Sequence, residues 1–477
     1  MKLSELSGQP FDPDPDIQGL TADSREVEKG FLFAALPGAE IDGREFILQA
    51  EENGAAAVLG LPATKAGVPI VRDKAPRSRL ATMASRFYSG QPATVAGITG
   101  TNGKTSTARF AAQLWTLLGK TAGSLGTLGA EAPNFSAKLQ HTTPEPVALH
   151  KTLSAMDKAG ATHLAMEISS HALAQSRASG VVFSIAAFTN ITQDHLDFHA
   201  GFTDYFNAKK RLFSELLPQN GIAVINADGE GADEVCDLLA NRGVNTMTTG
   251  ANGDTIKMLK CEPHADGLRL SLGFDSDEIG VDLPLIGAFQ AENALLAAGV
   301  VAASGADLKS ILPLLHKLSG APGRMQHVAD ARGGAIYVDY AHTPDALQTA
   351  IAAIRPHTEG RLIVIFGAGG GRDKEKRPLM GVAVADADTV IVTDDNPRNE
   401  NPAEIRAQIL TGVVGATEIG NRAEAIMHGV AMLNTGDVLL IAGKGHETEQ
   451  TVGDKILVFN DGDVARAEAE RLKCGGA

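Results

Sequence analysis

This sequence predicts an α/β fold in three parts, with a mostly parallel central sheet and a doubly wound, Rossmann-like C-terminal part. Three observations carry that expectation. Short apolar runs alternate with helix-like stretches, the pattern of parallel strands joined by crossover helices. The 477 residues correspond to about three domains of ordinary size. A glycine-rich segment, GITGTNGKTST at 97–107, lies between a strand-like run and a helix-like one, where backbone N–H groups can meet phosphate.

Taken in order, residues 1 to about 90 carry the apolar runs FLFAAL (31–36), AAAVLGL (55–61) and VPIV (68–71) between polar helical stretches, a small α/β unit. SGQPA at 89–93 is Gly/Pro punctuation of the kind that marks a boundary. TVAGIT (94–99) then predicts a buried strand, and 104–118 has helical periodicity. HLAMEIS (163–169), FSIAAFTNI (183–191) and IAVINA (222–227) predict further strands. APGRM at 321–325 reads as the next hinge. Beyond it the alternation is regular: AIYVDYA (335–341), a helix over 344–354, RLIVIFGAG (361–369), a helix over 377–386 and TVIVTDD (389–395). Helices from 402 and from 421, then DVLLIAG (437–443), complete it.

Composition narrows the function classes. The chain is 44% apolar and 21% charged, an ordinary globular balance with enough apolar material for several cores. One Trp and four Tyr leave little aromatic surface for stacking bases, and a formal net charge of −15 opposes a phosphate backbone. Nucleic acid is therefore not an expected partner, whereas small anions can still be held by a few local Lys and Arg. Cys236, Cys261 and Cys474 form no CxxC pair, so neither a disulfide framework nor a zinc site is suggested. The opening MKLSELSGQPFDPDPD has no apolar stretch, and ALLAAGVVAA (294–303) is about half the length of a membrane span. The expectation is a cytoplasmic monomer with no membrane span.

In the glycine-rich segment, Lys104 would offset the charge of the outer phosphates, and the Thr105 hydroxyl would ligand Mg²⁺. The strict motif has four residues between its first Gly and Gly-Lys-Thr; counting from Gly97 to Gly103 leaves five, and Gly100 is too close. A glycine turn without a ligand is the other reading. After the run at 361–366 come Gly367, Gly369, Gly370 and Gly371, with Arg372 where the third glycine of a dinucleotide fingerprint belongs. That argues against a nicotinamide cofactor.

GTNGKT is followed by MEISSHAL (166–173), TNITQDHLDFH (189–199), YFNAKKRLF (205–213), PGRMQ (322–326), DYAHTPDAL (339–347) and DNPR (395–398). In this order and combination the blocks closely resemble the Mur ligases. The likeness runs from Asp23, Ser24 and Arg25 to GKGHE at 443–447. The resemblance implies three domains: 1–90 binding UDP, 91–321 binding ATP around a P-loop ATPase-like parallel sheet, and 322–477, Rossmann-like, binding an amino acid. It implies an ATP-dependent ligase of cell-wall precursor synthesis. Its substrates would be meso-2,6-diaminopimelate and UDP-N-acetylmuramoyl-L-alanyl-D-glutamate, joined through an acyl phosphate with release of ADP and phosphate. A lysine-adding relative and, more distantly, folylpolyglutamate synthetase share the ATP blocks; a nucleotide-operated switch or binding module would need only the phosphate loop.

The chemistry explains the residue types. A carboxylate oxygen must approach the γ-phosphate of ATP, so Mg²⁺ and lysine have to offset the repulsion of two anions. By resemblance, ATP is held by Gly100, Thr101, Asn102, Gly103, Lys104, Thr105 and Ser106, with Asn293 at the adenine, Arg324 at the phosphates and Asp339 at the ribose. Thr105, Glu167 and His195 match metal ligands, although a strand-end Glu and a lone His are often structural. Lys209 matches a lysine carried as an Nζ-carbamate, an anionic oxygen ligand; the adjacent Lys210 is not separable from it by sequence. Ser24 and Arg25 match uridine-nucleotide contacts, and Thr142, Thr143, Ser169, Gln175 and Arg177 match contacts to the muramoyl dipeptide. Arg372, Asp395, Asn396, Pro397, Arg398, Gly443 and Glu447 match the diaminopimelate site. Within it Arg398 offers a planar, permanently charged fork for the second carboxylate, which lysine lacks.

Overall fold

The computed structural model describes residues 1–38, 41–192, 198–264 and 266–474. Their contacts divide the chain into two compact units, Met1–Ile256 with Leu295–Ile311, and Lys257–Ala294 with Leu312–Ala477.

In the first unit, four short strands, Gly19–Thr21, Phe31–Ala34, Ala57–Gly60 and Ile70–Arg72, pair in that order and in parallel. Alternating residues serve two faces: Leu32 and Ala34 pack with Leu80 and Met83 of the helix Pro76–Phe87, while Phe33 packs with Ile47 and Ala50. A larger sheet follows. Thr94–Thr99 lies at its centre, with His163–Glu167 and then Ala122–Gly126 on one side. Ile185–Phe188, Ile222–Asn226 and Asn245–Gly250 extend the other side, and all these pairings are parallel. The chain thus reverses direction across the sheet at Thr94–Thr99, and the crevice at the carboxyl end of such a strand is where open α/β sheets bind ligands.

In the second unit, Gln326–Ala331, Gly334–Asp339, Val438–Ala442, Leu362–Phe366, Thr389–Val392 and Thr417–Glu418 form one sheet in that order, antiparallel only in its first pair. Leu362, Val364 and Phe366 face Leu347, Ile351 and Ile354 of the helix Pro344–Ile354 and Met380 of the helix Lys376–Ala383. Ile363 and Ile365 face Ala425, Ile426 and Val430 of the helix Arg422–Ala431. A strand with apolar residues on both faces needs helices on both, which is the doubly wound arrangement expected. The sequence reading did not foresee the antiparallel additions. These are Gly129–Ala132 and Phe135–Ala137 beside Ala122–Gly126, then Ile256–His264, Gly267–Phe274 and Asp277–Leu283, and the exposed hairpin Glu449–Val452 with Lys455–Val458. ALLAAGVVAA falls in the helix Ala288–Ala303, and no helix among the described residues is long and apolar enough to cross a membrane.

Candidate active site

Backbone shapes the phosphate loop. It joins the strand Thr94–Thr99 to the helix Lys104–Leu117. Gly100 sits at φ 146°, and a Cβ there would fall 1.8 Å from Thr189 Oγ1 and 2.9 Å from the Asn190 carbonyl oxygen, so only glycine fits. The segment 189–192 straps the loop. Thr101 N–H donates to the Asn190 carbonyl at 2.9 Å and Asn102 N–H to Asn190 Oδ1 at 3.0 Å. The Thr189 hydroxyl donates to the Asn102 carbonyl at 2.6 Å, and Thr192 N–H to the Thr101 hydroxyl at 2.9 Å. No side chain caps the helix at Gly103, so its first N–H groups remain at the loop end with the positive pole of the helix behind them. Lys104 Nζ lies over the same loop, donating to the carbonyls of Gly100 and Thr101 at 2.9 and 2.8 Å.

Beside the loop, the Thr105 hydroxyl donates to Glu167 Oε2 at 2.8 Å, both residues being buried. Strand register delivers this pair, because Glu167 lies opposite Ile98, next to the end of the central strand. Thr127 holds the carboxylate from the other side, N–H to Oε1 at 2.8 Å and hydroxyl to Oε2 at 3.2 Å. Lys209, on the helix Phe202–Arg211, is 1% exposed; its Nζ donates to the Gly100 carbonyl at 2.7 Å and lies 4.4 Å from the Tyr205 ring centre. Lys210 instead reaches Glu234 at 3.2 Å. Consecutive helical residues point about 100° apart, so the helix brings Lys209 to the loop and Lys210 to Glu234. His195 lies outside the described residues. The oxygens of Thr105 and Glu167, adjacent at a strand end, suit a hard cation such as magnesium.

The residues expected to meet the dipeptide gather next to Glu167. The Thr143 hydroxyl donates to the Glu167 carbonyl at 2.9 Å and accepts from Ser169 N–H at 3.0 Å. The Thr142 and Thr127 hydroxyls are 3.0 Å apart. Arg177 forks onto Gln175 Oε1 at 2.9 and 2.7 Å, reaches the Thr143 carbonyl at 3.0 Å, and pairs with Glu145 at 2.8 Å. Ser24 and Arg25 sit in the N-terminal sheet region. The Ser24 hydroxyl donates to Gln49 Oε1 at 2.7 Å, and the exposed Arg25 pairs with Asp23 at 2.6 Å.

In the second unit, Asp339 ends its strand and accepts from Met325 N–H at 2.6 Å and Ala341 N–H at 2.8 Å, which fixes the turn carrying Arg324. The Arg324 guanidinium lies 4.6 Å from the Tyr340 ring centre. Asn293 Nδ2 donates to Gln290 Oε1 at 3.2 Å, and Gln290 reaches the Arg324 carbonyl at 3.4 Å. Burial and the Arg324 charge push His446 down to about 4; its ring lies 5.2 Å from that of Tyr340.

The 395–398 and 443–447 segments interlock. Asn396 Nδ2 donates to Glu447 Oε2 at 2.9 Å. Gln450 binds the Asp395 carbonyl at 2.6 Å, and Asp395 Oδ1 accepts from Asn396 N–H at 2.7 Å. Gly443 sits at φ 115°, where a Cβ would meet Asp395 Oδ2 at 2.7 Å. Arg398 adopts φ 51°, pinned by its N–H to the Thr451 carbonyl at 3.1 Å and by Gly453 N–H to its own carbonyl at 2.7 Å. Its Nη1 donates to the Gly370 carbonyl at 2.6 Å. Pro397 makes a close approach, since a Cβ on Gly370 would lie 1.9 Å from its carbonyl oxygen. Arg372 is exposed on the neighbouring loop.

Three family profiles match the chain in succession: Mur ligase family, catalytic domain, at 16–88; Mur ligase middle domain at 98–301; and Mur ligase, glutamate ligase domain, at 323–445. The UDP-N-acetylmuramoyl-L-alanyl-D-glutamate–2,6-diaminopimelate ligase of Caulobacter vibrioides is 47% identical over 472 residues, covering 96% of this chain and 97% of the relative. The chain belongs to the Mur ligase family. The ligase of the same name from Bradyrhizobium diazoefficiens is 45% identical over 99% of this chain and 100% of its own length. Among solved structures, one so named superposes with a TM-score of 0.74 at 32% identity, covering 100% of this chain and 99% of that one. A D-alanyl-D-alanyl-adding ligase from Acinetobacter baumannii, at 19% identity over 93% of this chain and 94% of its own, shares the fold with a TM-score of 0.63.

This Mur ligase also contains site residues that sequence reasoning passed over. Thr127 orients Glu167, Tyr340 underlies Arg324, and Lys444 is fully buried against Asn396 and Glu447. Lys444 and Tyr340 stand inside blocks already noticed, GKGHE and DYAHTPDAL. A lysine between two glycines in a strand-end loop was the available signal.

Proposed function

We infer that this chain is an ATP-dependent ligase of peptidoglycan precursor synthesis that adds 2,6-diaminopimelate to UDP-N-acetylmuramoyl-L-alanyl-D-glutamate, releasing ADP and phosphate. The observation that carries this is the identity of 47% across nearly the whole chain to a ligase bearing that name.

The dipeptide carboxylate attacks the γ-phosphorus of ATP, forming an acyl phosphate and ADP. The amine of diaminopimelate then attacks the acyl carbon, loses a proton, and phosphate departs as the amide forms. Loop N–H groups at 100–106 and Lys104 take up charge on the phosphoryl oxygens. Magnesium, when bound, supplies further positive charge between the two anions; Thr105, Glu167, His195 and a carbamate on Lys209 would hold it. Asn293, Arg324 and Asp339 bind the nucleotide. Ser24 and Arg25 bind the uridine nucleotide, and Thr142, Thr143, Ser169, Gln175 and Arg177 the dipeptide. Arg398 and Arg372 receive the second carboxylate of diaminopimelate; Glu447 and the Gly443 carbonyl receive its far ammonium, with Asp395, Asn396 and Pro397 shaping the loop. We take the amino acid to be the meso isomer, the three binding regions to be 1–90, 91–321 and 322–477, and the working form to be a cytoplasmic monomer.

A ligase releases phosphate from ATP only when both co-substrates are present. Phosphate release that is independent of the amino acid would point instead to a nucleotide-operated switch.

A further inference from the structure

Resting on that reading, we propose that Lys444 is a specificity-determining residue: it neutralises Glu447, so that the site accepts a far end bearing both an ammonium and a carboxylate. Lys444 is fully buried, and each of its three N–H donors has a partner: Glu447 Oε2 at 2.7 Å, the Glu449 carbonyl at 2.7 Å and Asn396 Oδ1 at 3.2 Å. Asn396 closes the ring by donating to the same Glu447 oxygen at 2.9 Å, while its Oδ1 also accepts from Thr451 N–H at 2.9 Å. Among the described residues Glu447 Oε1 accepts no hydrogen bond, and its side chain is 32% exposed. One carboxylate oxygen is thus fixed and paired while the other is presented.

A charge argument gives this arrangement its purpose. The far ammonium and carboxylate of diaminopimelate sit on one carbon, only a few ångströms apart. An unpaired Glu447 would attract the ammonium but repel the carboxylate beside it, and at short range in a partly buried site neither interaction is small. Such a site would favour a bare ammonium, which is what lysine offers. With Lys444 paired to it, Glu447 is locally neutral. It then selects the ammonium by hydrogen-bond direction and leaves the neighbouring carboxylate to Arg398.

The experiment is a competition between diaminopimelate and excess lysine in the full-length enzyme, with both products weighed and the kcat/KM ratio extracted. Lys444→Met is expected to lower the preference for diaminopimelate by roughly 10- to 100-fold, in line with losing one charged hydrogen-bonding partner. Lys444→Arg, which keeps the charge, should recover part of it. Glu447→Gln leaves Lys444 as the unpaired charge and should shift the ratio the other way, so the idea remains testable even if Lys444→Met does not fold. A purely structural role for Lys444 depresses both amino acids together and leaves the ratio unchanged, which overturns the proposal. A wild-type enzyme that adds neither amino acid overturns the functional reading itself, a distinguishable result.

Discussion

Around 100–106, the proposed ATP site is built mostly from main chain: glycine conformations and uncapped helix N–H groups, strapped from 189–192 by hydrogen bonds in which the Thr189 and Asn190 side chains take part. The proposed amino-acid site around 395–398 and 443–447 is built from side chains, with Asn396, Lys444 and Glu447 bonded in a ring and Arg398 held against Gly370. The difference follows from the ligands. Phosphate is the same for every relative that uses ATP, and main-chain donors serve it without specifying anything else. An amino acid that differs from lysine by one carboxylate has to be told apart by charges set at fixed positions.

Several substitutions can break or sharpen this contrast. The largest effect is expected from Lys104→Ala, a loss of ligation of roughly 10³-fold, the scale of removing a transition-state charge contact, with an unchanged melting temperature. Near-normal turnover would remove the phosphate loop as the ATP site. Lys209→Ala should lose activity to a similar degree and regain some with an added short carboxylic acid, which can stand in for the carbamate oxygens. A kinetic series with acetate checks this, and no rescue at any concentration counts against the carbamate. Arg398→Ala should raise KM for diaminopimelate by roughly 10²-fold, the worth of a charge-assisted pair, and change KM for ATP less than about twofold. Equal changes in both would dissolve the distinction between the two sites.

Smaller effects compare the glycines. Gly100→Ala drives a Cβ into Thr189 and the Asn190 backbone, whereas at Gly443 the obstacle is the end of the Asp395 side chain. The first should cost about 1–3 kcal/mol of stability, the second less, because a side-chain end can move. Denaturant melts of the two variants decide the order. The smallest expected effect is acid sensitivity from His446. Its pKa in the native state is about 4, against an ordinary 6.5. Between those values the unfolded chain takes up a proton that the folded chain does not, so stability falls as pH drops through that window. His446→Gln should flatten the melting curve against pH there, and an identical slope would contradict the assignment.

The fold was legible where apolar runs alternate with helices. The helix predicted over 344–354 is observed as Pro344–Ile354, and TVAGIT forms the strand Thr94–Thr99. Of the antiparallel strands within 256–283, the outer two alternate weakly in burial with several positions exposed, whereas Gly267–Phe274 alternates regularly and its signal was passed over. In the site, the place of the glycine-rich segment between a strand and a helix, together with the order of blocks, pointed to the phosphate loop, although the glycine spacing departs from the strict motif. Lys209 and Lys210 could not be separated until the helix placed one at Gly100 and the other at Glu234. The Lys444 ring escaped notice for a related reason: it joins residues 48 apart in sequence, and no local spacing encodes that contact.

The most direct test is to incubate the enzyme with ATP, Mg²⁺ and the UDP-muramoyl dipeptide, adding diaminopimelate in one vessel and lysine in another, and to weigh the nucleotide product. The account predicts a product heavier by one diaminopimelate residue in the first vessel and unchanged dipeptide in the second. A lysine adduct formed as readily as the diaminopimelate adduct would contradict it.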